Sequence, residues 1–350
     1  MSKRFQRGLV VGKFSPLHRG HEFVINRALE ECAEVFLISY SKPEMHGCEA
    51  VRREQWVSSI YPQVRHLAVT DERLREWVKP GQTPREVPAN DADEKTHRRF
   101  CGILCQHIFG VTVDAVFTSE DYGDGFAKEL TRFFHESQPT LPDVTHVMVD
   151  RNRQHLPISG TLLRQNIHAY REWLSPLIYA SFVQRVCLLG GESSGKSTLA
   201  VALAKRFGTA HVAEYGRELW DAKSGVLLYD DMKHIASVQI QREEASAKHA
   251  DRFLFCDTSP LTTLFYSNYM FGKAEPVLER LAERRYDFTI LCAPDFPFVQ
   301  DGTRQPETVR LRQHEWYLNE FAKRSIDHRL VTGSLESRIS QVRELFGLHI

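Results

Sequence analysis

The chain has 350 residues, of which 42% are apolar, 26% charged and 11% aromatic. These are ordinary globular proportions and exclude collagen, coiled coil and bulk disorder. Forty-five basic residues balance 45 acidic ones, so no general attraction to DNA or to an anionic membrane is expected, although a local basic pocket is compatible with that total.

At roughly 100–200 residues per domain the length predicts two domains, each able to bury its own core. The seven cysteines stand singly and are odd in number, which predicts reduced thiols and a cytoplasmic location. No apolar run reaches the ~18 residues of a spanning helix. Residues 1–7 are basic, but the apolar stretch after them is too short for a signal sequence and reads instead as a first strand.

In chain order, residues 9–11 predict a strand, 22–32 a helix and 35–40 a buried parallel strand. Segments 52–61 and 94–109 read as helices, and 114–118 and 146–149 as strands. Residues 77–93 carry Pro80, Gly81, Pro84 and Pro88 and predict a long surface loop. Pro176 discourages helix continuation, so the join between domains is expected within 175–184. The pattern then restarts, with a strand at 186–189, Gly190-Gly191 and a helix at 199–206. Further strands are expected at 211–213, 253–256, 288–292 and 328–331, and the charged stretch 279–285 as a solvated helix face. This alternation predicts an α/β chain with mainly parallel sheets, divided into domains 1–180 and 181–350, with ligands at the carboxyl ends of the strands.

Two loops carry the chemistry. In the first, Gly12, Lys13, Phe14, Pro16, His18, Gly20 and His21 fall where a strand turns into a helix that is expected to begin around His21. Free N–H groups at a helix start favour phosphate, glycines allow close backbone approach, and imidazoles and a lysine add hydrogen bonds and charge. In the second, Gly190, Gly191, Glu192, Ser193, Ser194, Gly195, Lys196, Ser197 and Thr198 form a complete Walker A loop between strand and helix. Its N–H groups cradle phosphate, Lys196 reaches the β- and γ-phosphates, and Ser197 is placed to hold magnesium. Asp257, after four apolar residues, fits the second magnesium position. Glu214 is the first candidate for the base that takes a proton from an acceptor hydroxyl, and Asp257 the second. Tyr215 can stack on a flat ring or be ordinary core, and Arg217 lies in the same segment. Arg304 and Arg310 are candidates for a mobile lid that stabilises charge on a transferred phosphoryl group.

The first loop resembles the signature of the HxGH nucleotidyltransferases, which have a Rossmann-like fold. Their second signature is matched by Ile158-Ser159-Gly160-Thr161-Leu162-Leu163-Arg164, about 140 residues downstream, a plausible domain length. The resemblance implies transfer of an adenylyl group from ATP without a covalent intermediate. His18 and His21 would hold phosphate oxygens, and Ser159, Thr161 and Arg164 the β- and γ-phosphates. With the P-loop kinase half, and with Asp150-Arg-Asn-Arg153, Glu214-Tyr-Gly-Arg217 and Asp301-Gly-x-Arg304, the whole chain resembles the NadR family. That family joins a nicotinamide-nucleotide adenylyltransferase to a ribosylnicotinamide kinase.

The resemblance implies two ATP- and magnesium-dependent steps in NAD biosynthesis. The C-terminal half converts nicotinamide riboside to nicotinamide mononucleotide (NMN), and the N-terminal half converts NMN to NAD and pyrophosphate. Some members carry an N-terminal helix-turn-helix domain. Here the first strand begins by residue 9, so DNA binding is not expected of this chain. A homo-oligomer is compatible with the sequence. Two alternatives stay open: a nucleotide sensor with one degenerate half, and an adenylyltransferase–kinase for another acceptor.

Three further features have bland readings beside functional ones. His97, Cys101 and Cys105 share a helical face and with His107 suggest zinc, but a core stripe with Phe100, Leu104 and Ile108 is favoured. Trp56 reads as core rather than as a stacking ring. Asp121-Tyr122-Gly123 reads equally as a turn or as part of the adenylyl site.

Overall fold

The computed structural model describes residues 3–78, 84, 86–151, 154–297 and 307–347. The chain divides into two compact units, Met1–Tyr179 and Ala180–Ile350, each organised on a five-stranded sheet whose paired strands all run parallel.

The first unit contains β1 (Phe5–Gly12), β2 (Cys32–Ser39), β3 (Arg65–Ala68), β4 (Ala115–Thr118) and β5 (Thr145–Met148), in the order β3-β2-β1-β4-β5. The central strands are apolar runs because helices cover both faces of a parallel sheet; Leu9, Phe36, Leu37, Ile38, Val116 and Phe117 are buried. From β1 the chain winds outward to β3 and returns to the other side of β1 at β4. The switch point therefore lies between the carboxyl ends of β1 and β4, where an open α/β sheet forms its ligand crevice.

Several elements here were not expected, among them the helix Gly123–His135, the edge strand β3 and a helix after it. The edge strand β3 reads Arg-His-Leu-Ala, with its first residue exposed, so no apolar run announces it. The helix Asp71–Trp77 is capped by Thr70, whose side chain accepts from Arg73 N. The segment expected as one helix over 94–109 is α-helical over Glu94–Ile103 and π-helical over Leu104–Phe109, ending at Gly110 with φ of 73°. Its buried face supports the core reading: Phe100, Cys101, Leu104 and Cys105 join one apolar cluster. Trp56 is likewise buried. No helix continues through Pro176: the turn Arg171–Trp173 ends before it and the short helix Pro176–Tyr179 starts at it, a first-turn position where its missing N–H is harmless.

The second unit contains β6 (Gln184–Leu189), β7 (His211–Val212), β8 (Phe253–Asp257), β9 (Phe288–Cys292) and β10 (Arg329–Val331), in the order β10-β9-β6-β8-β7. Alternate residues serve opposite faces of the sheet. Val186, Leu188, Phe253, Phe255 and Ile290 pack with residues of helices Lys196–Phe207 and Leu335–Leu345. Cys187, Leu189 and Leu291 pack on the other side with helices Tyr229–Ala247, Pro260–Phe271 and Glu307–Arg324. In the stretch 279–285, Glu279, Arg280, Glu283 and Arg285 are exposed as expected, and Arg284 is the charged residue that turns inward. Arg284 is only 20% exposed and lies 2.9 Å from the fully buried carboxylate of Glu243, because a buried charge requires a partner.

Candidate active sites

A cavity of 620 Å³ opens at the β1/β4 switch point, and Gly12, Lys13, His18, His21, Ser159, Thr161 and Arg164 all line it. The helix after β1 begins at Arg19, two residues before the expected start, because His18 itself is the N-cap and its Nδ1 accepts from Gly20 N at 3.1 Å. That bond leaves Nε2 as the nitrogen that carries the proton in the neutral ring. A Cβ on Gly20 would come within 3.0 Å of the His18 ring, so glycine is what lets the ring fold back on the helix. The His18 and His21 rings stack with centroids 3.8 Å apart.

Phe14 is not brought to the cavity. It is fully buried, and its ring meets His21 edge-on at 5.0 Å, so it braces the histidine rather than a ligand. The second signature arrives on the helix Gly160–Gln165, capped by the Ser159 hydroxyl, which accepts from Leu162 N. Arg164 Nη1 donates to Ser15 O and Nη2 to Thr161 Oγ1 at 3.0 Å. The two signatures are thereby tied to each other.

Several lining residues were not singled out by their sequence. Tyr40, Asn90, Glu94, Arg98 and Thr118 are among them; Tyr122, weighed as a turn or as a site residue, lines it too. His97, considered as a metal ligand, faces this cavity, and its Nδ1 lies 2.9 Å from the Tyr40 hydroxyl. Burial, with Lys13 nearby, pulls its pKa down. No group of three metal-ligating side chains occurs among the described residues. Asp150 is buried and closes its own loop by accepting from His155 N and Leu156 N, both at 3.1 Å. Residues 152 and 153 of that segment lie outside the described residues.

In the second unit the Walker loop follows β6 as the fold requires. Gly190 (φ 147°) and Gly195 (φ 80°) hold conformations that favour glycine. A Cβ on Gly191 would sit 2.6 Å from Arg310 O. Lys196 Nζ donates to Gly191 O at 3.1 Å, and Thr198 is exposed on the first turn of the helix. A cavity of 450 Å³ beside the loop is lined by Glu192, Ser193, Lys196, Ser197, Glu214, Arg217 and Asp257 among others. Asp257 pairs in register with Leu188 of β6, which sets it next to the loop.

Burial raises the pKa of Glu214, with Asp257 and Glu192 adding to the shift and Lys196 opposing it. Burial also raises Asp257, opposed by Lys196 and by a hydrogen bond with Ser197. Asp257 Oδ1 is buried without a hydrogen-bond partner among the described residues. A carboxylate oxygen with spare capacity beside a P-loop hydroxyl suits a hard cation such as magnesium. The residues present therefore fit that ion.

Two expectations need correction. Tyr215 is not at the cavity; its hydroxyl meets His234 Nε2 at 3.1 Å and the Arg242 guanidinium covers its ring. The aromatic side chains that do line the cavity are Trp220 and Tyr266, the latter donating to Glu192 Oε1 at 2.7 Å. Arg310 is not a lid residue; it is 1% exposed and its Nη2 donates to Phe296 O at 2.7 Å. Arg304, with Asp301, lies outside the described residues. Sequence reading also missed Arg338, fully buried, whose Nη1 donates to Ser194 O at 2.6 Å and Nη2 to Ala293 O at 3.0 Å. Its guanidinium covers the Phe296 ring, and it pairs with Asp295.

Fold and sites together define a two-unit, parallel-sheet α/β protein whose second unit is a P-loop fold. A family model described as an AAA domain matches residues 185–338. The trifunctional NAD biosynthesis/regulator protein NadR of Escherichia coli K12 is 29% identical over 314 residues, 85% of this chain and 71% of the relative. NadR of Salmonella typhimurium LT2 is 29% identical over 309 residues, with the same coverage. Two NadR crystal structures superpose over the whole chain. One, in complex with NAD and AMP-PNP, has a TM-score of 0.66 at 17% identity and 99% coverage of that chain. The other, in complex with NR, has a TM-score of 0.68 at 18% identity and 98% coverage of that chain. The chain is a homologue of NadR. Among the described residues no helix is long and apolar enough to cross a membrane.

Proposed function

We propose that this chain makes NAD in two steps, the unit Ala180–Ile350 phosphorylating nicotinamide riboside and the unit Met1–Tyr179 adenylylating the resulting NMN. The observation that carries the reading is the bond from Arg164 to Ser15, which gathers both signature segments around one cavity. Homology to NadR and the ligands named for its solved relatives support the choice of pyridine nucleotides.

In the kinase step the 5′-hydroxyl oxygen of the riboside attacks the γ-phosphorus of ATP, ADP leaves, and the hydroxyl proton passes to Glu214. A carboxylate with a raised pKa, lining the same cavity as Lys196, suits that task. Lys196 leaves Gly191 O to hold phosphate oxygens. Ser197 and Asp257 would hold magnesium, which neutralises charge on the phosphates when bound. In the adenylyl step a phosphate oxygen of NMN attacks the α-phosphorus of the second ATP, and pyrophosphate leaves with the displaced electron pair. No protein nucleophile is needed. His18 and His21 donate to oxygens that gain charge, and Thr161 and Arg164 grip the leaving pyrophosphate, so catalysis is positioning and electrostatics.

Chromatography of products from ATP and magnesium with nicotinamide riboside, with NMN and with neither tests this. Riboside passing through NMN to NAD is the expected result. Conversion in neither substrate tube overturns the reading.

A further inference from the structure

Two buried glutamines, Gln239 and Gln313, line the cavity of the second unit, and neither has a part in the steps above. Gln239 is bonded at both ends of its amide: Oε1 accepts from Tyr215 N at 3.0 Å and Nε2 donates to Asp257 O at 3.5 Å. Gln313 differs. It stands on the helix Glu307–Arg324 and is 1% exposed.

Hydrogen bonding fixes which way the Gln313 amide faces. Tyr317 gives its single hydroxyl proton to Thr262 Oγ1 at 2.8 Å, so the Tyr317 oxygen is left to accept, and Gln313 Nε2 donates to it at 3.5 Å. Oε1 is therefore the end turned from Tyr317. It is buried, and among the described residues it has no hydrogen-bond partner. A buried acceptor left in that state costs free energy that a ligand donor would return. The Nε2 bond is at the long limit and the last torsion of glutamine is soft. A small rotation thus presents Oε1 to a ligand while Nε2 stays beside Tyr317.

The open end of this amide calls for a donor. Glu192, Glu214 and Asp257 already bring three carboxylates to the cavity wall, which suit the hydroxyls of a ribose. A neutral primary amide is different, because it carries a donor beside an acceptor and pairs with another amide through two parallel hydrogen bonds. An acid in its place offers acceptors alone, and would add a fourth carboxylate to the three.

We propose that Gln313 is a specificity-determining residue of the second unit, its Oε1 accepting from the carboxamide N–H of the riboside, so that the amidated pyridine is taken and the acidic one refused. The inference rests on the riboside-kinase reading for its substrate.

The test compares kcat/KM for three ribosides that differ only in the group on the pyridine ring: nicotinamide riboside, 3-acetylpyridine riboside and nicotinate riboside. The acetyl group is neutral and close in shape to the carboxamide but has no N–H. The wild type should favour the amide over the acetyl compound by about 10-fold or more, and over the acid by a larger factor. Gln313→Met removes the acceptor at similar volume. It should lower kcat/KM for nicotinamide riboside by about 10-fold or more, mainly through KM, and leave the acetyl compound little changed, so the preference collapses. Gln313→Asn, which draws the oxygen back by one methylene, should give an intermediate ratio. Equal use of the amide and acetyl compounds by the wild type overturns the proposal, whatever the variants do. So does a Gln313→Met that slows all three ribosides alike, the mark of a packing role or of contact with the ribose. Phosphorylation of no riboside by the wild type overturns it together with the kinase reading.

Discussion

Arg164 and Ser15 are 149 residues apart in sequence and joined by a 2.5 Å hydrogen bond from guanidinium to carbonyl. The same guanidinium holds Thr161. Arg164→Lys keeps the charge but cannot make both bonds in one plane. NAD formation from NMN should fall by about 10–100-fold, the range of a lost charge-assisted bond, with the kinase step unchanged. Loss below threefold would remove Arg164 from the site.

Separate sites predict separable losses. His18→Ala should abolish NAD formation and leave riboside phosphorylation intact, and Lys196→Ala should do the reverse. Product chromatography on folded variants reads both. A single substitution that removed both activities would contradict independent sites.

Glu214 must be ionised to accept a proton, and burial holds its pKa above the usual carboxylate range. The kinase rate should therefore fall on the acid side at a pH higher than an exposed glutamate would give. Glu214→Gln should lower kcat by about 10²–10⁴-fold with little change in KM for the riboside, and should erase that acid limb. A surviving limb would move the role to Asp257.

Much of this was legible in the chain. The central strands of both sheets announce themselves as apolar runs, and the two loops after β1 and β6 as glycine-rich turns, because burial and φ freedom leave direct marks on residue type. The missed parts are those where residue type misleads. Arginine reads as surface, yet Arg310 and Arg338 are each 1% exposed because loop carbonyls supply their partners. Tyr215 and Trp220 share one helix, and only the packing decides which of them faces the cavity. Edge strand β3 is polar and has no pattern to read.

A buried charge can also set the pH response of stability. Burial pushes the Glu243 carboxyl up to about 7, against the opposing effect of Arg284 and a hydrogen bond from Tyr286. An unfolded glutamate titrates near 4.3, so the folded state holds this proton more tightly between the two values. Stability from this group is fully present below about pH 4 and is lost as pH rises toward 7. Relative to Glu243→Gln, the wild type should lose about 1–3 kcal/mol between pH 5 and 7.5, read as the urea midpoint for loss of kinase activity. A difference that stays flat with pH would exclude Glu243 as its source.

Arg338 braces the P-loop through Ser194 O across 144 residues. Removing it takes the donor from three carbonyls and the charged partner from Asp295, which keeps the Gly333 N–H, so Arg338→Ala should destabilise the second unit by about 3–5 kcal/mol. The brace also bears on the chain's own synthesis. The ribosome makes the Walker loop early and its support only some 144 residues later, so a nascent chain carries the whole loop well before the loop is held in shape. Contacts so distant in sequence form late. A chain stalled short of Arg338 would thus display an intact signature and no working pocket, which is the kind of product that quality-control proteases remove.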